Sequence, residues 1–520
     1  VEEAAHAYED IEIPEVSLLE MLQRSFMDNR NKTAITFGEL TYSYEQLRDR
    51  IKRVANGLAK RGIKKGDRVA LMLPNCPQYP VSYFAILSLG AIVVQVNPSY
   101  KPPELLHILN DSGAKGIVLL DEVRSVFQTI EHDTEVKWAV GVSLKDSSDF
   151  DKLLKDERKE PSNVAIEPKE DVAVIQYTGG TTGRSKGAML THYNLVANTL
   201  QLAANHGEKN GDSRVLTISP LFHVNGMTAG MNLAFYKGGN IILVSRFDVE
   251  EVANIIEREK PTRFPGVPTM YTALLQYYQQ KPFDISSLNF CTCGSAPLPV
   301  EVINKFNSIT GVSIAEGYGL SEASPTTHRN PIDGLQKRGS IGITLPNTKA
   351  KIVDSTTGEQ ELSQGNVGEL IIRGPQVMKG YYRMPEETKQ TLRNGWLYTG
   401  DLASVDEDGY YYIVGRKKEM ILASGFNVYP IEVEDVIYKH PAVYEAAVIG
   451  VPDPYRGETV RAVIVKKEGS DATKEELLAY CHENLSSYKV PKLISFVEEL
   501  PKTAVGKILK RELVEAEKTK

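Results

Sequence analysis

Cysteine is scarce in this chain. Its 520 residues include only Cys76, Cys291, Cys293 and Cys481, too sparse for a disulfide framework, and Cys291-x-Cys293 lacks both the spacing and the second pair of a zinc site. A reducing, cytoplasmic setting is the expectation. Long apolar runs are also missing: residues 84–96 come nearest but are broken by Ser88, Gly90 and Gln95, short of the ~20 residues a membrane span requires. Positive charge is not in surplus, since 60 Lys and Arg face 67 Asp and Glu for a formal net charge of −7. That balance argues against a general nucleic-acid binder or a polybasic membrane surface, so an anionic ligand has to be held by local clusters. The acidic opening VEEAAHAYED does not read as a signal peptide, and no repeat at a period of about 20–50 residues is visible.

What is present is the composition of a globular protein, 42% hydrophobic and 24% charged, with length for two to four domains at roughly 100–200 residues each. Leu47, Ile51, Val54 and Leu58 recur on one helical face behind Ser43-x-x-Gln46, the pattern of a capping box opening an amphipathic helix. Short apolar runs then alternate with helical patterns: VALML (69–73), GIVLL (116–120), VAVIQY (172–177), VLTIS (215–219), IILV (241–244) and FCTC (290–293). Such alternation predicts βαβ units around buried parallel strands. Past about residue 340 the pattern becomes hairpin-like, with AKIVD (350–354), GELIIRG (368–374) and YYYIVG (410–415) separated by turns such as Asp408-Gly409. The last segment mixes helices (432–439, 474–484) with strands (443–450, 460–466), as in a small α+β domain.

One stretch is built for phosphate. Tyr177-Thr-Gly-Gly-Thr-Thr-Gly-Arg-Ser-Lys186-Gly187 follows the strand-like VAVIQ and precedes a helical pattern near Thr191, so a strand–loop–helix unit is expected. The glycines let backbone N–H groups share one concavity, hydroxyls add donors, and Lys186 adds charge. A Walker A loop would need Lys followed by Ser or Thr, whereas Gly187 follows Lys186. A ligand-free Gly/Thr-rich turn would share this composition.

Eight motifs occur in series: YTGGTTGRSKG (177–187), PLFHVNG (220–226), GSAPLP (294–299), GYGLSE (317–322), GSIG (339–342), YTGD (398–401), GRKKEMILASG (415–425) and PKTAVGK (501–507). In that order the chain resembles the adenylate-forming superfamily of acyl-CoA synthetases, luciferases and peptide-synthetase adenylation domains, and most of all bacterial fatty-acid–CoA ligases. The resemblance covers nearly the whole chain. It implies an α/β fold, with residues 1–415 forming a large body of layered αβ sheets that binds ATP and acyl chain and includes a β-rich module at about 340–415. Residues 416–520 would then form a small mobile α+β lid.

The implied reaction is attack of a fatty carboxylate on the α-phosphate of ATP, then transfer of the acyl group from AMP to coenzyme A. Two anions must meet and pyrophosphate must leave, which calls for cations and oriented N–H donors. The resemblance gives Thr178, Gly179, Gly180, Thr181, Thr182, Gly183 and Lys186 to the phosphates, and Glu322 with Thr182 to Mg²⁺. It assigns Gly294, Ser295, Ala296, Pro297, Gly317, Tyr318 and Gly319 to adenine, Ser321 to the α-phosphate, Asp401 to the ribose hydroxyls and Arg416 to nucleotide support. Lys507 would reach the carboxylate and α-phosphate, His223 would sit at the neck of the acyl pocket, Lys418 would be the hinge, and Ser424, Gly425, Phe426 and Asn427 would border the pantetheine channel. Taken singly, Glu322 could be a solvated surface residue, Asp401 a turn residue, Lys507 a surface lysine and His223 a satisfied core histidine. Ser321 stands where many relatives have Thr, Gly179 where many have Ser, and Asn427 where some place a basic residue against CoA phosphate. Alternatives are an aryl- or arylpropenoyl-CoA ligase, or a fatty-acyl-AMP ligase loading a carrier protein. A homodimer and peripheral membrane contact are compatible with the resemblance.

Overall fold

A computed structural model describes residues 8–155, 164–178, 185–204, 211–294, 298–332, 334–423, 426–453, 457–503 and 506–518. Helix Tyr44–Lys60 begins at the expected box: Gln46 N–H donates to Ser43 Oγ at 3.2 Å and Ser43 N–H to Gln46 Oε1 at 2.9 Å. Its inner face buries Leu47, Ile51, Val54 and Leu58, as the spacing predicts. Residues 84–96 divide into the end of the buried helix Gln78–Ser88 and strand Ile92–Gln95. Among the described residues no helix is long and apolar enough to cross a membrane. Phe26, Tyr44, Phe84 and Phe235 pack edge to face or tilted, with centroids 5.3–6.2 Å apart, the geometry aromatic rings prefer.

Two large sheets form the body. In the first, Val172–Thr178, Ile92–Gln95, Arg68–Met72, Gly116–Leu120 and Trp138–Val142 run parallel in that spatial order. In the second, Ile314–Gly319, Phe290–Cys293, Arg263–Gly266, Arg214–Thr217, Asn240–Leu243 and Thr33–Phe37 form the parallel core of a nine-stranded sheet. Antiparallel strand Thr326–Arg329 returns beside Ile314–Gly319, so Tyr318 and Gly319 stand where the parallel core ends.

The strand before the phosphate loop and the helix near Thr191 are both present, Val172–Thr178 and His192–Ala204, but a strand not expected from the sequence lies between loop and helix. Residues Lys186–Thr191 form this antiparallel strand, with Ile175 opposite Met189 and Thr178 opposite Lys186. The apolar run after the loop extends the sheet, and the helix is capped later, by reciprocal bonds between Thr191 and Asn194. The strands on either side of the loop, Val172–Thr178 and Lys186–Thr191, are thus paired with each other, and no helix N-terminus follows the loop directly.

The β-rich module is an antiparallel arrangement of Lys349–Val353, Gly368–Arg373, Trp396–Val405, Leu392–Arg393 and Tyr411–Arg416. Beyond it, a smaller α+β unit joins strands Ile421–Ala423, Phe426–Val428, Val443–Asp453, Gly457–Lys466 and Leu493–Phe496 with helices Pro430–Tyr438 and Lys474–Asn484 around its own core of Val433, Ile437, Val448, Ile464 and Leu477. The expected class, a large α/β body with a β-rich part and a small C-terminal α+β domain, is the one observed.

Candidate active site

A cleft of about 2420 Å³ opens where the sheets of the body meet the C-terminal unit. Thr178 and Lys186 line it from the hairpin, Gly294 from the end of Phe290–Cys293, and Gly317, Tyr318, Gly319, Ser321 and Glu322 from the turn after Ile314–Gly319. His223, Asp401, Arg416, Lys418 and Lys507 line it too. Residues from six separated stretches of sequence thus converge on one space. Gly179, Gly180, Thr181, Thr182 and Gly183 lie outside the described residues, as do Ser295, Ala296 and Pro297, and Ser424 and Gly425. Phe426 and Asn427 are described but exposed on strand Phe426–Val428, where Phe426 stacks on Tyr488 at 4.9 Å. In this arrangement Lys507 is in the cleft and the Phe426 strand is not.

Tyr318 Oη donates to Asp401 Oδ2 at 2.5 Å, and Arg416 Nε lies 3.3 Å from Asp401 Oδ1. Burial, reinforced by Asp401, drives the Tyr318 phenol far above its ordinary value, so it remains a donor. Burial works against the Arg416 charge, but Asp401, Glu419, Tyr318 and Glu322 hold it above its usual range. Gly319 is required sterically, because an added Cβ would collide with the Pro325 carbonyl.

Glu322 is held by a tyrosine that sequence reasoning missed. Tyr381, on the short strand Gly380–Tyr381 paired with Lys186–Thr191, donates from Oη to Glu322 Oε1 at 2.8 Å. Its ring lies 5.3 Å from Lys186 Nζ, which pairs with Glu387. The one available signal was the GYY run at 380–382, which carries no spacing rule of its own. Among the described residues no cluster of three His, Cys, Asp or Glu side chains is arranged to hold a metal. A divalent ion at Glu322 would therefore rest on one carboxylate plus water and phosphate oxygens, a donor set that suits magnesium.

Lys507 comes from the C-terminal unit. Its loop can approach the body because Gly506 has φ +74°, and a Cβ there would stand 2.6 Å from Thr269 Oγ1. Burial pushes the Lys507 ammonium down to about 8, and the Arg416 charge adds to this while Asp401 and Glu419 oppose it. Burial likewise takes His223 to about 4, with Lys507 contributing, so the imidazole is neutral at pH 7. Two further carboxyls went unnoticed in the sequence: Glu316, raised to about 7 by burial against the pull of Gly339 N–H, and Asp435, raised to about 6 by burial. Asp435 adds to the Glu316 shift from the C-terminal unit.

The sequence profile of the AMP-binding enzyme family matches residues 22–382, and that of the AMP-binding enzyme C-terminal domain matches residues 432–507. The chain belongs to the AMP-binding enzyme family. This AMP-binding enzyme is 45% identical to the long-chain-fatty-acid–CoA ligase of Bacillus subtilis, over 98% of this chain and 96% of the relative. It is 39% identical to the feruloyl-CoA synthase of an Amycolatopsis species, over 92% of this chain and 95% of the relative. Its fold matches ATP-bound MatB from Rhodopseudomonas palustris with a TM-score of 0.90 at 33% identity, covering 97% of this chain and 99% of that one. The apo form of MatB matches with a TM-score of 0.78 over the same shares of the two chains. The AMP-binding enzyme is thus more similar in overall arrangement to the ATP-bound form.

Proposed function

We propose that this AMP-binding enzyme is an ATP-dependent ligase that joins a medium- or long-chain fatty acid to coenzyme A, releasing AMP and pyrophosphate. The observation that carries the reading is the convergence of Lys507, Arg416, Asp401, Tyr318, Lys186 and Glu322 on one cleft, which supplies cations, an aromatic ring and hard carboxylates together. Tyr318 offers its face to adenine and Asp401 accepts from the ribose hydroxyls. Lys186 and the hairpin hold the β- and γ-phosphates. Glu322, with Thr182, would hold magnesium, which would supply positive charge against the phosphates.

In the first step a carboxylate oxygen attacks the α-phosphorus, and the bond to the β-phosphate bridging oxygen breaks, releasing pyrophosphate. Lys507 stands between the two anions and stabilises the charge that gathers there, with Ser321 beside the α-phosphate. Neutral His223 orients the acid at the neck of its pocket without competing for the negative charge. In the second step the thiol sulfur of coenzyme A attacks the acyl carbon, the bond to AMP breaks, and the thiol proton leaves to water. For this step the C-terminal unit turns about Lys418 relative to the body, withdrawing Lys507 and bringing Ser424, Gly425, Phe426 and Asn427 to the pantetheine channel.

The four cysteines are buried and unpaired, which supports a cytoplasmic setting. The proposal extends to a homodimer with peripheral membrane contact, tested by sizing and vesicle sedimentation. Release of AMP and pyrophosphate across fatty and aryl acids, each with and without coenzyme A, tests the function. Turnover that rises with alkyl length and requires coenzyme A is expected. The identity to a feruloyl-CoA synthase favours aryl acids as the second reading, and turnover confined to them would replace the first.

A further inference from the structure

Glu369 is a buried carboxylate, 6% exposed, on strand Gly368–Arg373, and it has no part in the chemistry above. Its Oε1 accepts from Gly400 N–H at 3.2 Å and its Oε2 lies 3.1 Å from Lys417 Nζ. Lys417 N–H in turn donates to Gly400 O at 2.9 Å. Gly400 and Lys417 are therefore joined twice, once directly through the backbone and once through the carboxylate. They sit one residue outside the ladder pair Asp401 and Arg416. Immediately afterwards the chain turns, with Glu419 and Met420 N–H both donating back to Arg416 O.

We infer that Glu369 and Lys417 clamp the body side of the hinge, so that rotation of the C-terminal unit is confined to Lys418 and beyond; this rests on the two-orientation reading above. A hinge delivers a domain reproducibly only when the segments flanking the moving bond are held. A buried carboxylate holds them well, because each oxygen needs its donor and losing one leaves charge poorly satisfied. Without the clamp the last rung of the ladder opens and the pivot spreads over several residues. Arg416, which faces both Asp401 and Lys507, then moves with the lid. A lid that swings imprecisely leaves the acyl-adenylate exposed to solvent between the two steps.

The test uses the full-length enzyme at saturating coenzyme A and measures acyl-AMP released to solution per acyl-CoA formed. Lys417→Gln and Glu369→Gln are each expected to raise that ratio at least about threefold, in line with the modest strength of a part-exposed ion pair. Lys417→Arg should restore it, because the guanidinium keeps the charge and the donor. Lys417 is half-exposed, so its variant stays informative should Glu369→Gln fail to fold. A wild-type ratio in Lys417→Gln overturns the clamp, as does slower turnover with an unchanged ratio, which marks a role in packing only. Lys418→Pro, assayed in parallel, separates the two readings. Normal rates for both of its half-reactions would remove the hinge itself, whereas altered rates there with a wild-type ratio in Lys417→Gln would remove only the clamp.

Discussion

Tyr318 and Asp401 meet across the cleft, the phenol donating to the carboxylate at 2.5 Å from the end of one sheet to a strand of another. The bond ties the ring that would lie on adenine to the group that would hold ribose, so the two halves of a nucleoside site are set by one contact. Tyr318→Phe should keep the ring and lose the tie. A hydrogen bond to a charged group contributes about 1.5–3 kcal/mol net, so KM for ATP should rise roughly tenfold with kcat little changed. Steady-state kinetics at varied ATP will decide, and an unchanged KM would show that the contact does not shape the nucleotide site.

Lys507→Ala should lower acyl-AMP formation by roughly 10²–10³-fold, the scale seen when one preorganised charge-stabilising donor is lost. Thioester formation from supplied acyl-AMP should be nearly unaffected, because that step is proposed to occur with Lys507 withdrawn. Pyrophosphate exchange and thioester formation measured separately provide the comparison; equal losses in both would end the assignment.

The pH dependence follows from the same lysine. Its ammonium is depressed from 10.5 to about 8 by burial and the Arg416 charge, so the cationic form needed for adenylation is present below that value and lost above it. The acyl-AMP-forming kcat/KM should therefore fall through an apparent pKa near 8, and in Lys507→Arg this limb should move beyond the accessible range. A limb that stays in place in that variant would belong to another group.

Tyr381→Phe removes the hydroxyl that holds Glu322. Partners that orient a metal ligand commonly matter by about 10–100-fold in affinity, so the Mn²⁺ affinity of the enzyme–nucleotide complex, read by electron paramagnetic resonance, should weaken by at least about tenfold. Wild-type Mn²⁺ affinity in Tyr381→Phe would show that Glu322 is placed without it.

Much of the site was legible before any fold was known. Lys186 could be named from the Gly/Thr-rich loop itself, whereas Tyr318, Glu322, Asp401 and Lys507 were named by the resemblance that GYGLSE, YTGD and PKTAVGK carry, because each motif is short and contiguous in the sequence. Tyr381 and Glu369 could not, because each acts through a side-chain bond to a residue far along the chain, to Glu322 in one case and to Gly400 and Lys417 in the other. Local pattern also left out the strand Lys186–Thr191 that lies between the phosphate loop and the helix. Its place depends on pairing with Val172–Thr178 and on burial of Ala188 and Leu190.

By itself the sequence determined the local elements and the chemical inventory: a capped amphipathic helix at Ser43, buried strands at regular intervals, a glycine-rich loop, and the cations and carboxylates of the later motifs. These follow from periodicity and side-chain type, which act over a few residues. Only the tertiary structure decided that Lys507 enters the cleft beside Arg416 and His223, that burial brings its ammonium to about 8, and that His223 is neutral. Burial and Coulomb interactions depend on what packs around a group in space, and packing is set by how the C-terminal unit seats on the body.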